Sequence, residues 1–227
     1  DTISDYFEKY QSAINGNLSE TYNVTILKDY EMVGQEPLII YNLGGPNTTS
    51  VLDLGGHTIT ISGTIGILAG AAGAVVIKNG TLVLNNDGSM AIYNENAHAL
   101  TISGVLITNA PNTTNICGVN SGLGGSLAST KIENSVISFG EEETTVVQNT
   151  GTTTVTSGHF STLNTDSGSG IIVAAGSSTL TANPEGVAGT IITSPDTTGM
   201  IVRNGNAYLY DTLQEAVNAV EPDGTIQ

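Results

Sequence analysis

Cationic side chains are nearly missing from this sequence. Only five Lys and Arg residues stand against 21 Asp and Glu, a formal net charge of −16. A nucleic-acid partner requires a basic footprint to neutralise phosphates, so that class of function is excluded. Anionic membranes and anionic polysaccharides are disfavoured for the same reason. Acidity of this degree keeps a protein soluble in a salty exterior. Cysteine is limited to Cys117, so no disulfide forms within the chain, and the thiol reads as a small buried apolar group. A thiol nucleophile would want a histidine and a third group, and His57, His98 and His159 are scattered and match no motif. No run reaches the roughly 18 apolar residues of a membrane-spanning helix. The Gly/Ala-rich tract from Ile65 to Ile77 reads as core, and no membrane insertion is expected. No secretory leader is evident, and the opening at Asp1 reads like that of an excised segment.

Charge of either sign totals 11% of the chain, against a usual quarter. Disordered chains also lack apolar residues, but here these make up 39%. They come in short runs, and the aromatic share is only 5%, with no tryptophan. A core of small Ile, Val and Leu clusters is therefore expected.

What the chain does have is a recurring phrase: an apolar residue, one or two polar residues, then Gly or a stand-in. It occurs as Ile61-Ser62-Gly63, Ile77-Lys78-Asn79-Gly80, Ile102-Ser103-Gly104, Ile132-Glu133-Asn134-Ser135, Val155-Thr156-Ser157-Gly158 and Val202-Arg203-Asn204-Gly205, with a weaker copy at Leu180-Thr181-Ala182-Asn183. Successive steps of 17, 24, 31, 23, 25 and 22 residues give a loose period near 23. Alternating residues precede each copy, as in His57-Thr58-Ile59-Thr60-Ile61, which is the signature of a strand with one buried face. Gly or Asn then tolerates positive φ and turns the chain, and a second short strand such as Thr81-Leu82-Val83-Leu84 often follows. Strand, bend, strand and loop at a near-constant interval describe the coils of a parallel β-helix, here about seven to nine of them at ~4.8 Å each. A β-sandwich would also show short alternating strands, and Asn79-Gly80 and Asn204-Gly205 fit its hairpin turns. It offers no reason for one phrase to return at a set interval, and its core usually holds more aromatics.

Two segments read as helices. Ile3 to Ile14 begins at the capping residue Ser4, and Asp211 to Val220 is capped by Asp211 or Thr212 with Leu213, Ala216, Val217 and Val220 as its apolar stripe. Gln11-Ser12-Ala13-Ile14-Asn15 matches Gln214-Glu215-Ala216-Val217-Asn218, and each leads toward a strand, Val24-Thr25-Ile26 and Gly224-Thr225-Ile226. A solenoid end exposes apolar residues and strand edges, so the first helix is the expected plug and the second the opening of a following copy.

Val51-Leu52-Asp53-Leu54-Gly55-Gly56-His57-Thr58-Ile59-Thr60 resembles a phrase of pectate-lyase-like β-helix regions in bacterial surface proteins, with Gly55 where those carry Asn. Tyr208-Leu209-Tyr210-Asp211-Thr212-Leu213-Gln214-Glu215-Ala216-Val217 is similar to a helix opening in the same large Gram-positive proteins. Together the motifs span about 20 residues. The resemblance implies a right-handed parallel β-helix in an extracellular, repeat-bearing, often adhesin-like chain.

Chemistry is thinly signalled. A lyase acting on uronates needs cationic groups, yet Arg203 is the only arginine, and Lys78 and Arg203 take the same place in the phrase, as solvated coil-edge residues. A glycoside hydrolase needs two facing carboxyls. Asp53 reads as a partner for turn donors, Glu133 as a solvent-facing residue, and Glu141-Glu142-Glu143 as a solvated loop. The oxygen-rich turns Asn85-Asn86-Asp87-Gly88 and Asp166-Ser167-Gly168-Ser169-Gly170 are the candidate calcium sites, but neither has EF-hand spacing, and turn chemistry alone explains both. Thr58/Thr60, Thr152/Thr154/Thr156 and Thr179/Thr181 read as ordinary outward strand threonines. Tyr30, Tyr41 and Tyr93 are the candidate sugar-stacking platforms.

The expected fold is all-β, a right-handed single-stranded parallel β-helix with an N-terminal capping helix and a short C-terminal helix. The expected divisions are 1–22 for the cap and lead-in, 23–207 for the β-helix, and 208–227 for the helix and the start of a following unit. The expected function is a non-catalytic extracellular structural or adhesive module of a larger bacterial surface protein, with no catalytic, cofactor or metal residues assigned. A carbohydrate-binding or carbohydrate-active domain is the alternative. Expected partners are host or environmental glycans or proteins and neighbouring repeat units of the same chain.

Overall fold

The computed structural model describes residues 21, 23–34, 37–42, 47–70, 73–95, 97, 99–122, 128–140, 145–149 and 151–220. The helix expected over Ile3–Ile14, the Glu141-Glu142-Glu143 run, His98 and the strand expected after Gly224 lie outside the described residues.

Alternating apolar residues form three strands per coil. The first coil holds β1 (Asn23–Thr25), β2 (Tyr30–Met32) and β3 (Leu38–Tyr41), the second β4 (Thr49–Asp53), β5 (Thr58–Ile61) and β6 (Ile65–Gly70). In the next two coils the first two strands run together, as β7 (Ala74–Leu84) before β8 (Met90–Asn94), and as β9 (Ala99–Asn109) before β10 (Cys117–Ser121). The fifth holds β11 (Ser129–Glu133), β12 (Ser135–Ile137) and β13 (Thr145–Asn149). Then β14 (Thr152–Val155), β15 (Gly158–Phe160) and β16 (Ile171–Val173) close the stack. The result is a parallel β-solenoid of about five turns with three faces. The first face stacks β1, β4, β7, β9, β11, β14 and β16; the second β2, β5, β7, β9, β12 and β15; the third β3, β6, β8, β10 and β13.

Register explains why the phrase recurs. On the first face Leu52, Ile77, Ile102, Ile132 and Val155 stand one above another, all buried. Ile59, Leu82, Ile107, Ile137 and Phe160 do the same on the second face, and Leu38, Ile67, Ile92, Val119 and Val147 on the third. Each of these five coils thus sends at least one apolar side chain from each face to the axis, and some faces send two, such as Val75 with Ile77 and Leu82 with Leu84. Each large side chain contributes about 1.5–3 kcal/mol of burial. Between the first and second faces the chain bends at Asn79, Gly104 and Asn134, with φ of 62°, 62° and 47°. These left-handed residues are in register, because Lys78 and Glu133 both pair with Ser103. Gly80, just beyond, is required for a different reason: a Cβ there would lie 2.4 Å from the Leu54 Cβ. The Gly63 copy of the phrase sits at the next corner, between β5 and β6, which accounts for the short step of 17 residues. At the third corner Asn42 and Asn94 turn inward, fully buried, and bond what the strands leave unpaired. Asn42 Nδ2 donates to the carbonyls of Thr48 (2.8 Å) and Ala74 (2.7 Å), and Asn94 Oδ1 accepts from the Ala97 N–H (2.9 Å).

Parallel coiling ends at Val173, so the stack has about five turns, fewer than the seven to nine coils expected from the sequence. Beyond it the chain reverses. Strand β17 (Ser178–Thr179) pairs antiparallel with β18 (Thr190–Thr193), which pairs antiparallel with β15. Strands β19 (Gly199–Arg203) and β20 (Asn206–Tyr210) form a hairpin. The last two copies of the phrase are therefore not coil bends. Asn183 lies in the loop before β18, and Asn204-Gly205 makes the hairpin turn with φ of 52° and 73° at its two residues. The hairpin lies against the outer side of β12 and β15, and Val187, Ile191, Ala207 and Leu209 form a second, small core.

Helix α1 (Leu213–Ala219) follows, capped by Thr212 in a capping box with Glu215. Of its expected stripe only Ala216 is buried; Leu213 and Val217 are 58% and 47% exposed. Ala216 packs against Gly199, where a Cβ would come within 2.9 Å of it. Among the described residues no helix is long and apolar enough to cross a membrane.

Candidate functional site

The sequence candidates fall on different parts of the solenoid. Asp53, Lys78, Ser103 and Glu133 share one outward row beside the first bend. Asp53 Oδ1 accepts from the Gly55 N–H (2.9 Å) and from Asn79 Nδ2 (3.2 Å), while Oδ2 pairs with Lys78 Nζ at 3.3 Å. Partial burial pushes the Asp53 pKa up, but the Gly55 N–H, Asn79 and Lys78 outweigh it and hold the carboxyl below its usual range. Glu133 is ion-paired with Lys131. Three rungs separate Asp53 from Glu133, roughly 14 Å at the strand spacing. Facing carboxyls of a glycosidase stand about 5–9.5 Å apart.

Other polar groups serve the stack. Asp29 Oδ1 accepts from the Thr58 N–H (2.9 Å) and lies 3.4 Å from His57 Nδ1; the Thr58 bond first, against desolvation and with the help of His57, lowers its pKa. Asp87 Oδ1 accepts from the Thr114 N–H of the next coil (2.8 Å). In the other oxygen-rich turn the Asp166 carbonyl accepts from the Ser169 N–H (3.0 Å). Among the described residues no three His, Cys, Asp or Glu side chains gather in a metal-binding group. Cys117 is a buried thiol. Thr58 and Thr60 lie on the second face, Thr152 and Thr154 on the first, and Thr179 in the antiparallel segment. They form no single flat array.

The tyrosine platform expected from the sequence is not assembled. Tyr30 stands in the inward column of the second face and packs against the core. Tyr93 lies on the third face, where burial first and then Glu95 raise its pKa. Tyr41 is on a strand of the third face, and its side chain lies outside the described residues.

A different constellation forms where the antiparallel segment meets the second face. An open groove of about 900 Å³ runs between them. Its floor is the bend glycines Gly56, Gly80 and Gly104 with the outward row Thr81, Leu106 and Val136. Its wall carries Arg203, Tyr208, Tyr210, Asp211, Glu215 and Asn218. Alternation along β20 places these tyrosines: Ala207 and Leu209 bury themselves in the small core, so Tyr208 and Tyr210 take the other side. Arg203 lies over the Tyr208 ring, 5.5 Å from its centroid, and donates to the Ala219 carbonyl at the end of α1 (3.2 Å). Burial raises the pKa of both tyrosines, opposed by the Arg203 charge. Asn134 Nδ2 donates to Asp211 Oδ2 (3.0 Å) and ties the wall to the bend row.

Arg203 is thus a wall residue of the groove and not, as its place in the phrase suggests, a coil-edge twin of Lys78. The signal that could have found it is the alternation Ala207-Tyr208-Leu209-Tyr210, which marks a strand with one aromatic side. Chemically the groove offers aromatic surface, amides, carboxylates and one guanidinium, with no nucleophile hydrogen-bonded to a base among the described residues. No family model matches this chain, and neither curated proteins nor solved structures contain a significant match.

Proposed function

We propose that this chain is a non-catalytic structural and adhesive module of a bacterial cell-surface or secreted protein, with the solenoid as spacer and the groove as contact surface. The observation that supports this reading most is the commitment of the carboxylates. Asp53 is tied to Lys78 and the bend, Glu133 to Lys131, Asp211 to Asn134, and Glu215 to the cap of α1. A general acid must keep its proton near neutral pH, and the environment of Asp53 acts in the reverse sense. The acidic composition and the resemblance to bacterial surface β-helices support the extracellular setting. The likeness of Gln11–Asn15 to Gln214–Asn218 supports neighbouring units of the same chain as partners.

The test is incubation with a panel of neutral and acidic polysaccharides, reading new reducing ends and unsaturated products. No turnover is expected. Turnover abolished by Asp53→Asn or Glu133→Gln would overturn the proposal.

Carbohydrate binding is the second reading, favoured by Tyr208 and Tyr210 standing opposite the amides of Asn79 and Asn134. Aromatic faces and fixed amides suit the ring faces and paired hydroxyls of a neutral sugar. A glycan array run with and without calcium tests it. Selective binding that Tyr210→Ala removes would seat a glycan in the groove, and loss on calcium withdrawal would assign calcium a part. Absence of glycan binding would leave a protein partner as the object of adhesion.

A further inference from the structure

We propose that His159 is an acid-sensitive latch that holds the antiparallel hairpin to the solenoid at neutral pH and releases it on protonation. His159 sits on β15 between Gly158 and Phe160. The Phe160 side chain points to the axis, so His159 points outward, in the row of Val136 and opposite Ile191. An outward residue of the stack should be wet, yet His159 is only 1% exposed, because the reversed chain covers it.

Both ring nitrogens are used, and by two parts of the covering segment. Nε2 lies 2.6 Å from the Ala188 carbonyl oxygen, in the loop before β18. Nδ1 accepts from the Ala207 N–H of β20 at 3.3 Å. A carbonyl can only accept and a backbone N–H can only donate, so the pair selects the neutral ring with its proton on Nε2. A second proton would put Nδ1–H against the Ala207 N–H. It would also place a charge beside the apolar Val136 and Ile191.

The charged and titratable groups of the packed elements do not neutralise that charge. Strand β12 faces the ring with Val136 and β18 with Ile191, neither of which titrates. Strand β20 carries Tyr208 and Tyr210 on its opposite side, β19 carries Arg203, and the Ala188 loop carries Glu185; none of them exerts a charge effect on the ring. Burial dominates and lowers the imidazole pKa from its ordinary 6.5, outweighing the Ala188 carbonyl and the Asn206 side chain, which favour the charged form. The sign follows. With the docked pKa below the free one, docking is fully supported above pH 6.5 and weakens as pH falls through the docked value. The loss is up to about tenfold in the docking equilibrium per pH unit within that window. The main core is a separate cluster, so the coils outlast the hairpin. Release would dismantle one wall of the groove, but the latch does not depend on what the groove binds.

The test is amide hydrogen exchange from pH 7.5 to 4.5, corrected for the intrinsic pH dependence, beside an NMR titration of the His159 ring. Protection across Gly199–Tyr210 is expected to fall as pH drops below 6.5, by up to about tenfold per pH unit. The fall should track the His159 titration while β7 and β9 keep their protection. His159→Gln keeps a neutral donor and acceptor and should hold the hairpin across the whole range. His57→Asn, which alters a half-buried histidine of the stack, should leave the wild-type hairpin profile unchanged. Should His159→Gln fail to dock at pH 7.5, the wild-type comparison of hairpin and coils still decides. Hairpin protection independent of pH, simultaneous loss in the coils, or an unchanged acid loss in His159→Gln would each overturn the latch.

Discussion

Asn79-Gly80 lies in the parallel stack and Asn204-Gly205 in the antiparallel segment, and the same dipeptide does different work in each. In the stack only Asn79 takes positive φ, and the chain turns a corner without reversing. In the hairpin both residues take it, and the strand folds back on itself. The local chemistry is shared, so the difference comes from what lies alongside. Asn79 has Gly104 in register beside it on the next coil, whereas Asn204 closes a strand whose partner is its own continuation. The cores differ in the same way. The stack buries continuous columns on all three faces, whereas the reversed segment gathers a small cluster of its own, Val187, Ile191, Ala207 and Leu209, and lends Ile192 to the main core.

The largest expected contrast is in packing. Ile77→Ala opens the middle of an axial column and should cost about 2–5 kcal/mol, lost from the whole molecule in urea unfolding. Leu209→Ala, in the small core, should cost nearer 2 kcal/mol and show mainly as lost amide protection in β19 and β20. If Leu209→Ala lowered protection in β7 as much as in β20, the two regions would be one cooperative unit and the comparison would fail.

A smaller contrast lies in the glycines. At Gly80 φ is ordinary and the obstacle is steric, so Gly80→Ala should cost about 1–3 kcal/mol through the clash with Leu54 and the His57 carbonyl. At Gly205 the added Cβ meets nothing nearer than 3.5 Å, but φ is +73°, and Gly205→Ala should cost about 1–2 kcal/mol through the backbone alone. Asparagine separates the two, because it tolerates left-handed φ. Gly205→Asn should recover much of the thermal stability that Gly205→Ala loses, and Gly80→Asn should recover none.

The smallest contrast is electrostatic. Asp53 and Asp29 both have pKa values below the ordinary 3.8, so their support of the stack is present above that pH and lost as pH falls through the lowered values. The hairpin responds near the histidine range and the stack near the carboxylate range. Lys78→Ala should raise the Asp53 pKa toward 3.8 in a carboxyl NMR titration and cost no more than about 1 kcal/mol, as for exposed pairs generally.

The stack was legible because stacking imposes one apolar residue at the same place in every coil. Ile77, Ile102, Ile132 and Val155 each open a copy of the recurring phrase, and the structure pairs them in that register. The reversal after Val173 was not legible, since Val202-Arg203-Asn204-Gly205 carries the same local pattern and only long-range pairing decides its role. The groove was hidden for a related reason. Asn79, Asn134 and Tyr208 come from distant parts of the chain, and no period links them. The tyrosines chosen from the sequence had no such defect, but alternation sends Tyr30 inward and Tyr93 to another face.

The parallel register also gives the molecule a mechanical character. All inter-coil hydrogen bonds run along the rod axis, and a single thread passes through the coils in series. Tension applied along that axis loads one boundary at a time, as in unzipping, instead of shearing many bonds together. Each coil that yields releases a length such as the 25 residues from Leu52 to Ile77. Drawn out, that is roughly 80–90 Å of chain from a layer about 4.8 Å thick. Under load the stack is a reel in which each coil surrendered lengthens more than about tenfold.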